Sequence, residues 1–337
     1  MSMHQLGPLI RLWGLPITDL PPPGVASDDL APFLIAVLQE AVPFLDTISP
    51  RRRCPADTAL WKAKGAKSYP DSAAPVQVLE RVIPVTELAL VMARSQLAHS
   101  HEQANKLRPE TWACRRSVHE DAARPGTATW AEFTAAIKTN HAEAEVDYMP
   151  NLRSLHTPLE WDCAGVEAHE GGALWRDFTL KVHESRHNIG APLKNRVFAF
   201  LVVSIAIADF ASAPEAVLSK DKGPVVGAYT SVERVRKLDS GEIEWIMATV
   251  SDAKGVLPLW VQAKAVPGQV ARDNPELDSS PGDGAERPTD SAPAQGGEAN
   301  PAQEAPPVPS KEDSSPADAE KGGDATTGGP PPAPAKT

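Results

Sequence analysis

Three cysteines in 337 residues, Cys54, Cys114 and Cys163, are too few, too far apart and of the wrong parity for a secreted disulfide framework. No pair has the spacing of a thiolate metal site, so no metal is expected and the thiols read as core residues in a reducing compartment. Long apolar runs are missing as well. The longest, Val197 to Ala208, has 12 residues, well short of the roughly 20 that a membrane-crossing helix needs. The amino terminus has no basic flank followed by an apolar core, which argues against a signal peptide. The expectation is a soluble, cytoplasmic chain, with peripheral membrane contact left open. Positive charge is not in excess, with 33 Lys and Arg against 44 Asp and Glu, so nucleic acid is not an expected partner. No glycine-rich loop follows a strand to cradle phosphate, and neither Ser231 nor Ser251 has a G-x-S-x-G context. No cofactor is expected, and a serine hydrolase is not indicated.

Aromatic residues are absent from one whole region. All 8 Trp, 7 Phe and 3 Tyr precede residue 261, and the chain from Gly268 onward has only Val270, Leu277 and Val308 as larger aliphatics. That stretch holds 13 acidic and 5 basic residues amid Pro, Gly, Ala and Ser. Too little apolar surface is available there to offset the entropy of ordering, so it reads as a disordered acidic tail with no partner that can be named. The globular part ends near residue 265.

Within that part, Leu30, Phe33, Leu34, Val37, Leu38, Val42 and Leu45 recur with a helical period and predict a helix over 29–46, bent or interrupted at Pro43. A second helix is expected over 86–107. Thr129 and Glu132 have capping-box spacing ahead of Trp130, Phe133 and Ile137, which predicts a third. "TWACRRSVHED" is strand-like. Further on the period becomes that of a sheet: Phe178, Leu180 and Val182 alternate with polar residues, as do Ile243, Trp245 and Met247, with a less regular strand over 227–238. The 197–208 run shows no alternation and implies a strand buried on both faces or a buried helix. Leu257, Trp260, Val261 and Ala265 form the stripe of a closing helix.

Four strings carry a resemblance: "TWACRRSVHED", "ATWAEFTAAIKTNHAEAEVDYMP", "HNIGAPLKNRVFAFLVV" and the run from "YTSVERV" through "IEWIMATVSDAKGVLPLWVQ". Together they resemble a mainly fungal, DUF3074-like family of unknown function with a START-like, helix-grip fold. The resemblance implies an α+β domain in which a curved antiparallel sheet wraps a long C-terminal helix around a hydrophobic cavity. It divides the chain into an N-terminal helical leader (1–110), a START-like core (111–270) and the tail (271–337). The family supplies no catalytic residues to carry over. This chain departs from its pattern after "VPGQVARD", where a further apolar helical turn gives way to tail-like sequence.

Candidate site residues follow from chemistry and position. "HESRH", His183 to His187, matches a zinc-protease pattern, which works only where two histidines share a helix face. The alternation before it makes a strand, so an accidental match is expected. His119, His141 and His183 adjoin the resembling strings, and Glu145 lies four residues after His141. On a helix, His141 and Glu145 share a face and form either a general base for condensation or cyclisation, or a structural pair. Arg115, Arg116 and Arg196 adjoin apolar sequence as headgroup contacts, or as partners of carbonyls or Glu233. Trp112, Trp245, Met247 and Trp260 line a pocket or fill a core. The leading expectation is binding of a hydrophobic small molecule, whether lipid, sterol or polyketide-like. The alternatives are a cyclase working in the same cavity and a non-catalytic scaffold.

Overall fold

The computed structural model describes residues 6–49, 59–95, 107–139, 152–188, 204–252 and 254, and the backbone of 196–201. All lie within Met1–Pro281, one of two compact units.

Helix α1 (Ser27–Asp46) begins two residues before the sequence expectation and continues through Pro43. Asp28 and Asp29 sit in its first turn, where carboxylates favour the positive end of the helix dipole. Leu30, Leu34, Val37, Ala41, Phe44 and Leu45 form its buried stripe. The following elements are β1 (Lys62–Tyr69), β2 (Ser72–Ile83), α2 (Val85–Arg94) and β3 (Glu110–His119). The expected second helix is therefore shorter: Ser95 is already extended, at φ −69° and ψ 142°, and residues 96–106 lie outside the described residues. The stretch read as a helical leader also contributes two strands. β1, "KAKGAKSY", escaped notice because it has no aliphatic residue larger than alanine to mark a face. It is an edge strand carrying Lys62, Lys64 and Lys67, charges that discourage pairing with another chain.

Beyond a short helix, α3 (Trp130–Thr134), which continues as a π-helical turn over Ala135–Thr139, come β4 (Leu152–Trp161), β5 (Ala168–Glu170), β6 (Ala173–Trp175) and β7 (Leu180–His187). The remaining strands are β8 (Arg196–Leu201), β9 (Ile205–Ala206), β10 (Val225–Val226), β11 (Ala228–Lys237) and β12 (Ile243–Asp252). One five-stranded antiparallel sheet runs β1-β2-β3-β12-β11. A second runs β10-β8-β7-β4, with β9 folded back antiparallel on β8. The single buried run expected over 197–208 thus contains two strands, β8 and β9, paired antiparallel. Ser231 N donates to Ser204 O at 2.8 Å and stitches the two sheets side by side. Among the described residues the fold is α+β, dominated by antiparallel sheet.

Side chains on a strand alternate, so each sheet has two faces. On the first sheet, Trp112 and Cys114 of β3 share a face with Ile246, Ala248 and Val250 of β12 and Val232 of β11, and all belong to one core with α1. Leu180 and Val182 of β7 join that core from the second sheet. We call this the packed face. The segment 6–20 also lies in that core, through Leu9, Ile10, Leu15 and Leu20. Leu15 N donates to Ala206 O at 2.8 Å, and Ala208 N to Leu15 O at 2.9 Å. Gly14 makes this approach possible: at φ 75° a Cβ there would stand 2.5 Å from Ala206 O.

Two carboxylates, one buried and one half-buried, fasten that segment. Glu110, 2% exposed, accepts from Arg11 Nη1 at 3.0 Å, Leu12 N at 2.7 Å and Trp112 Nε1 at 2.9 Å. Glu40 accepts from Leu9 N at 2.8 Å and Ile10 N at 3.1 Å. Burial raises the Glu40 carboxyl to about 7, against the opposing pull of the Ile10 N–H, Arg11 and the Leu9 N–H. A third carboxylate, Glu244, is 1% exposed and ties β12 to the end of α1, with Arg116 Nε at 2.8 Å, Arg236 Nε at 2.7 Å and Ser49 Oγ at 2.6 Å.

Candidate functional site

The opposite face of the first sheet is built from the other residues of the same strands. Register places Arg115 opposite Met247 and Met247 opposite Glu233, in one row across β3, β12 and β11. The neighbouring rows are Ser117, Trp245 and Val235 on one side, and Ala113, Thr249 and Ser231 on the other. His119 and Ile243 occupy the row at the far end.

These residues form an ordered polar line. Arg115 is 0% exposed, its guanidinium carbon lies 3.8 Å from the centre of the Trp245 ring, and Nη2 reaches Ser117 Oγ at 3.4 Å. Stacking on the indole offsets part of the cost of burying the cation. Ser117 Oγ lies 2.8 Å from His119 Nε2. Trp245 Nε1 donates to the Glu233 carboxylate. The far end is closed by α3, whose Thr129 and Glu132 form the capping box expected from their spacing. That box sets Phe133 against His119 at 5.1 Å and against Trp245 at 6.1 Å between ring centres.

Electrostatics push this face towards neutrality. Burial, reinforced by the charge of Arg115, lowers His119 to about 4, so the imidazole is uncharged at neutral pH. Burial also raises the Glu233 carboxyl above its ordinary value, against the Trp245 hydrogen bond and Arg115. The two groups do not converge. They stand two strands and four residues apart, about 16 Å by ordinary sheet spacings, too far to act on one atom.

The face is also graded. Arg115, Ser117 and His119 on β3 are sealed, at 4% exposure or less. Ser231 and Glu233 on β11, and Met247 and Thr249 on β12, stay half-buried. Ser231 Oγ and Thr249 Oγ1 lie 2.8 Å apart.

The sequence candidates divide between the faces. Trp245, Met247, Arg115 and His119 lie on this second face. Trp112 lies on the packed face, its ring 4.7 Å from that of Phe44, and Arg116 points the same way, to Glu244 and Gln77. His141, Glu145 and Trp260 lie outside the described residues, as do the expected closing helix and tail, and the Arg196 side chain is not described. Ser117, Ser231 and Thr249 were missed as a set. Their signal was legible in β3, where Arg115, Ser117 and His119 repeat polar side chains at a period of two residues.

"HESRH" lies on strand β7. Its two histidines are on one face about 13 Å apart along the strand, and Glu184 projects to the other. Glu184 is 0% exposed and accepts from Val217 N at 2.8 Å, Leu218 N at 2.9 Å and Ser219 N at 2.7 Å. Burial alone would push its carboxyl up, but the donors from this loop hold it below the ordinary range. His183 Nδ1 meets Thr157 Oγ1 at 2.8 Å. No group of three or more His, Cys, Asp or Glu among the described residues is arranged to hold a metal ion. No helix among them is long and apolar enough to cross a membrane. A hollow of about 410 Å³ opens between Glu160–Ala164 and Phe178–Leu180, away from the polar line.

Residues 112–277 match the model of a family described as a protein of unknown function, DUF3074. The family resemblance read in the sequence is borne out over that stretch. No curated protein matches the chain. Among solved structures, the chain is similar to human STARD10 at 12% identity and TM-score 0.40, covering 69% of this chain and 76% of that one. It is similar to human StAR-related lipid transfer protein 5 at 16% identity and TM-score 0.41, covering 71% and 92%. A third likeness is to the human StarD13 (DLC2) lipid transfer and protein localization domain, at 13% identity and TM-score 0.35, covering 64% and 87%.

Proposed function

We propose, from the premise that residues 112–277 match the DUF3074 family, that this is a START-like, helix-grip protein that binds a hydrophobic small molecule against the second face of its sheet, for transfer or presentation. One observation carries the reading. The packed face is already filled by α1 and the 6–20 segment, yet the opposite face buries Arg115, Ser117 and His119 while leaving Met247, Thr249, Ser231 and Glu233 half-buried. A sheet whose second side faced only water would not seal a cation and an imidazole there, because burying them costs free energy that solvation would spare. A second interior, part protein and part ligand space, accounts for both the sealed and the half-open rows. Affinity would come chiefly from apolar area removed from water, at about 25 cal/mol per Å². The cyclase alternative needs an acid and a base on one reacting atom; His119 and Glu233 are too far apart to be that pair, and His141 and Glu145 lie outside the described residues.

Native mass spectrometry of the full chain, with organic extraction of what it carries, tests the reading. A reproducible apolar molecule near one per chain is the expected result. A folded protein that arrives empty, and stays empty against lipid, sterol and polyketide panels, sinks it.

A further inference from the structure

We propose that the polar end of the bound molecule is uncharged, a hydroxyl or carbonyl seated on the Ser231–Thr249 hydroxyl pair beside Glu233. The inference rests on the binding reading above and adds the class of ligand. Ser231 and Thr249 face each other across β11 and β12 with their oxygens 2.8 Å apart, and both are half-buried. Each hydroxyl has one donor and two acceptor sites. The bond between them uses one of each, so the pair still offers a donor and several lone pairs to a third group. Glu233 stands two residues from Ser231 on the same face, about 7 Å along the strand, beside the apolar Met247.

Charge complementarity decides the class. Among the described residues, no cation of the second face reaches the half-open rows: Lys62 and Lys67 lie on edge strand β1, three strands from β12, and the others are engaged. Arg115 is fully covered, stacked on Trp245 and turned to Ser117. Lys237 meets Asp121 at 2.7 Å beyond the far end, and Lys181 on β7 meets Glu160 at 2.8 Å. The half-open rows therefore present hydroxyls and one carboxyl. A carboxylate or phosphate head would lose its water, gain no cation and meet Glu233, an arrangement that rejects anions more than it attracts alcohols. A neutral head completes the hydroxyl pair without that cost.

The test uses the full chain and three probes with one tail: pyrene-labelled decanol, decanoate and decyl phosphate, titrated by fluorescence at pH 7.5. Decanol is expected to bind at least about tenfold more tightly than either anion. Ser231→Ala and Thr249→Val should each weaken decanol several-fold and leave decanoate unchanged. Glu233→Gln should improve the anions and leave decanol within about threefold. If decanoate or decyl phosphate binds as tightly as decanol, or if both hydroxyl deletions leave decanol unaffected, the neutral seat is wrong while the binding reading stands. If none of the three binds, the binding reading fails and takes the inference with it.

Discussion

The two faces of one sheet bury charge in opposite ways. On the packed face, Glu110 and Glu244 are each surrounded by several donors, as is Glu184 in the neighbouring sheet, which accepts three backbone N–H groups of one loop. On the second face, His119 is held neutral and Glu233 is driven in that direction, each with few hydrogen bonds. Where a carboxylate serves as an anchor, the fold surrounds it with donors. Where, on the proposed reading, a face borders ligand space, it leaves groups tuned by burial and able to take a neutral partner. This contrast, more than any motif, separates structural from functional polarity in this chain.

The largest effects should come from the packed face. Trp112 is 0% exposed against Phe44 and donates to Glu110. Trp112→Ala should cost about 3–5 kcal/mol in urea denaturation, while Met247→Ala, half-buried on the second face, should cost less than about 1 kcal/mol and change probe binding instead. Equal losses at the two sites would erase the distinction. Next comes Glu110→Gln, which leaves the Arg11 guanidinium, 0% exposed, without its counter-charge. A loss of about 3 kcal/mol is expected, with decanol affinity unchanged in the protein that remains folded.

The pH dependence sets the faces against each other. Glu40 is raised from 4.5 to about 7 on folding, so the folded protein holds the extra proton in that window and loses stability as pH rises through it. His119 is lowered from 6.5 to about 4, so the unfolded chain holds the extra proton and stability is lost as pH falls from 6.5 towards 4. Each contributes at most about 3 kcal/mol. Glu40→Gln should therefore gain on the native protein as pH rises from 4.5 to about 7, and His119→Gln should gain as it falls from 6.5 to about 4. Denaturation midpoints across pH 4 to 8 measure both slopes; two slopes of the same sign would refute the assignment.

Legibility followed the strength of local signals. The α1 stripe, the capping box at Thr129 and Glu132, and the strands β3, β11 and β12 could all be read because their periodicity is carried by large residues. β1 could not, because small and charged residues at an exposed edge leave no alternation. The 197–208 run misled because two short antiparallel strands have the same composition as one long strand. On β12 the alternation was read correctly but not its meaning: Ile243 and Trp245 pack on α3, whereas the main core takes Ile246, Ala248 and Val250. With both faces covered, hydrophobic pattern alone does not tell them apart. The site suffered most from this ambiguity, since Trp112 and Arg116 adjoin Arg115 and Ser117 in sequence but lie on opposite sides of the sheet.

The smallest effect tests how the second face is closed. Helix α3 (Trp130–Thr134) passes directly into a π-helical turn over Ala135–Thr139, and the reciprocal bonds of Thr129 and Glu132 anchor its amino-terminal end. Thr129→Ala should cost only about 1 kcal/mol in global stability, but it loosens Phe133 over His119. If α3 is what keeps that imidazole dry, its pKa should climb from about 4 towards 6.5 in the variant, followed by the histidine ring protons in NMR titration. The Glu40 slope, on the other face, should stay where it was. An unmoved His119 in a loosened α3 would mean that the dryness comes from the sealed rows of β3 and β12 themselves, and the polar line would then be part of the scaffold up to the Arg115 row.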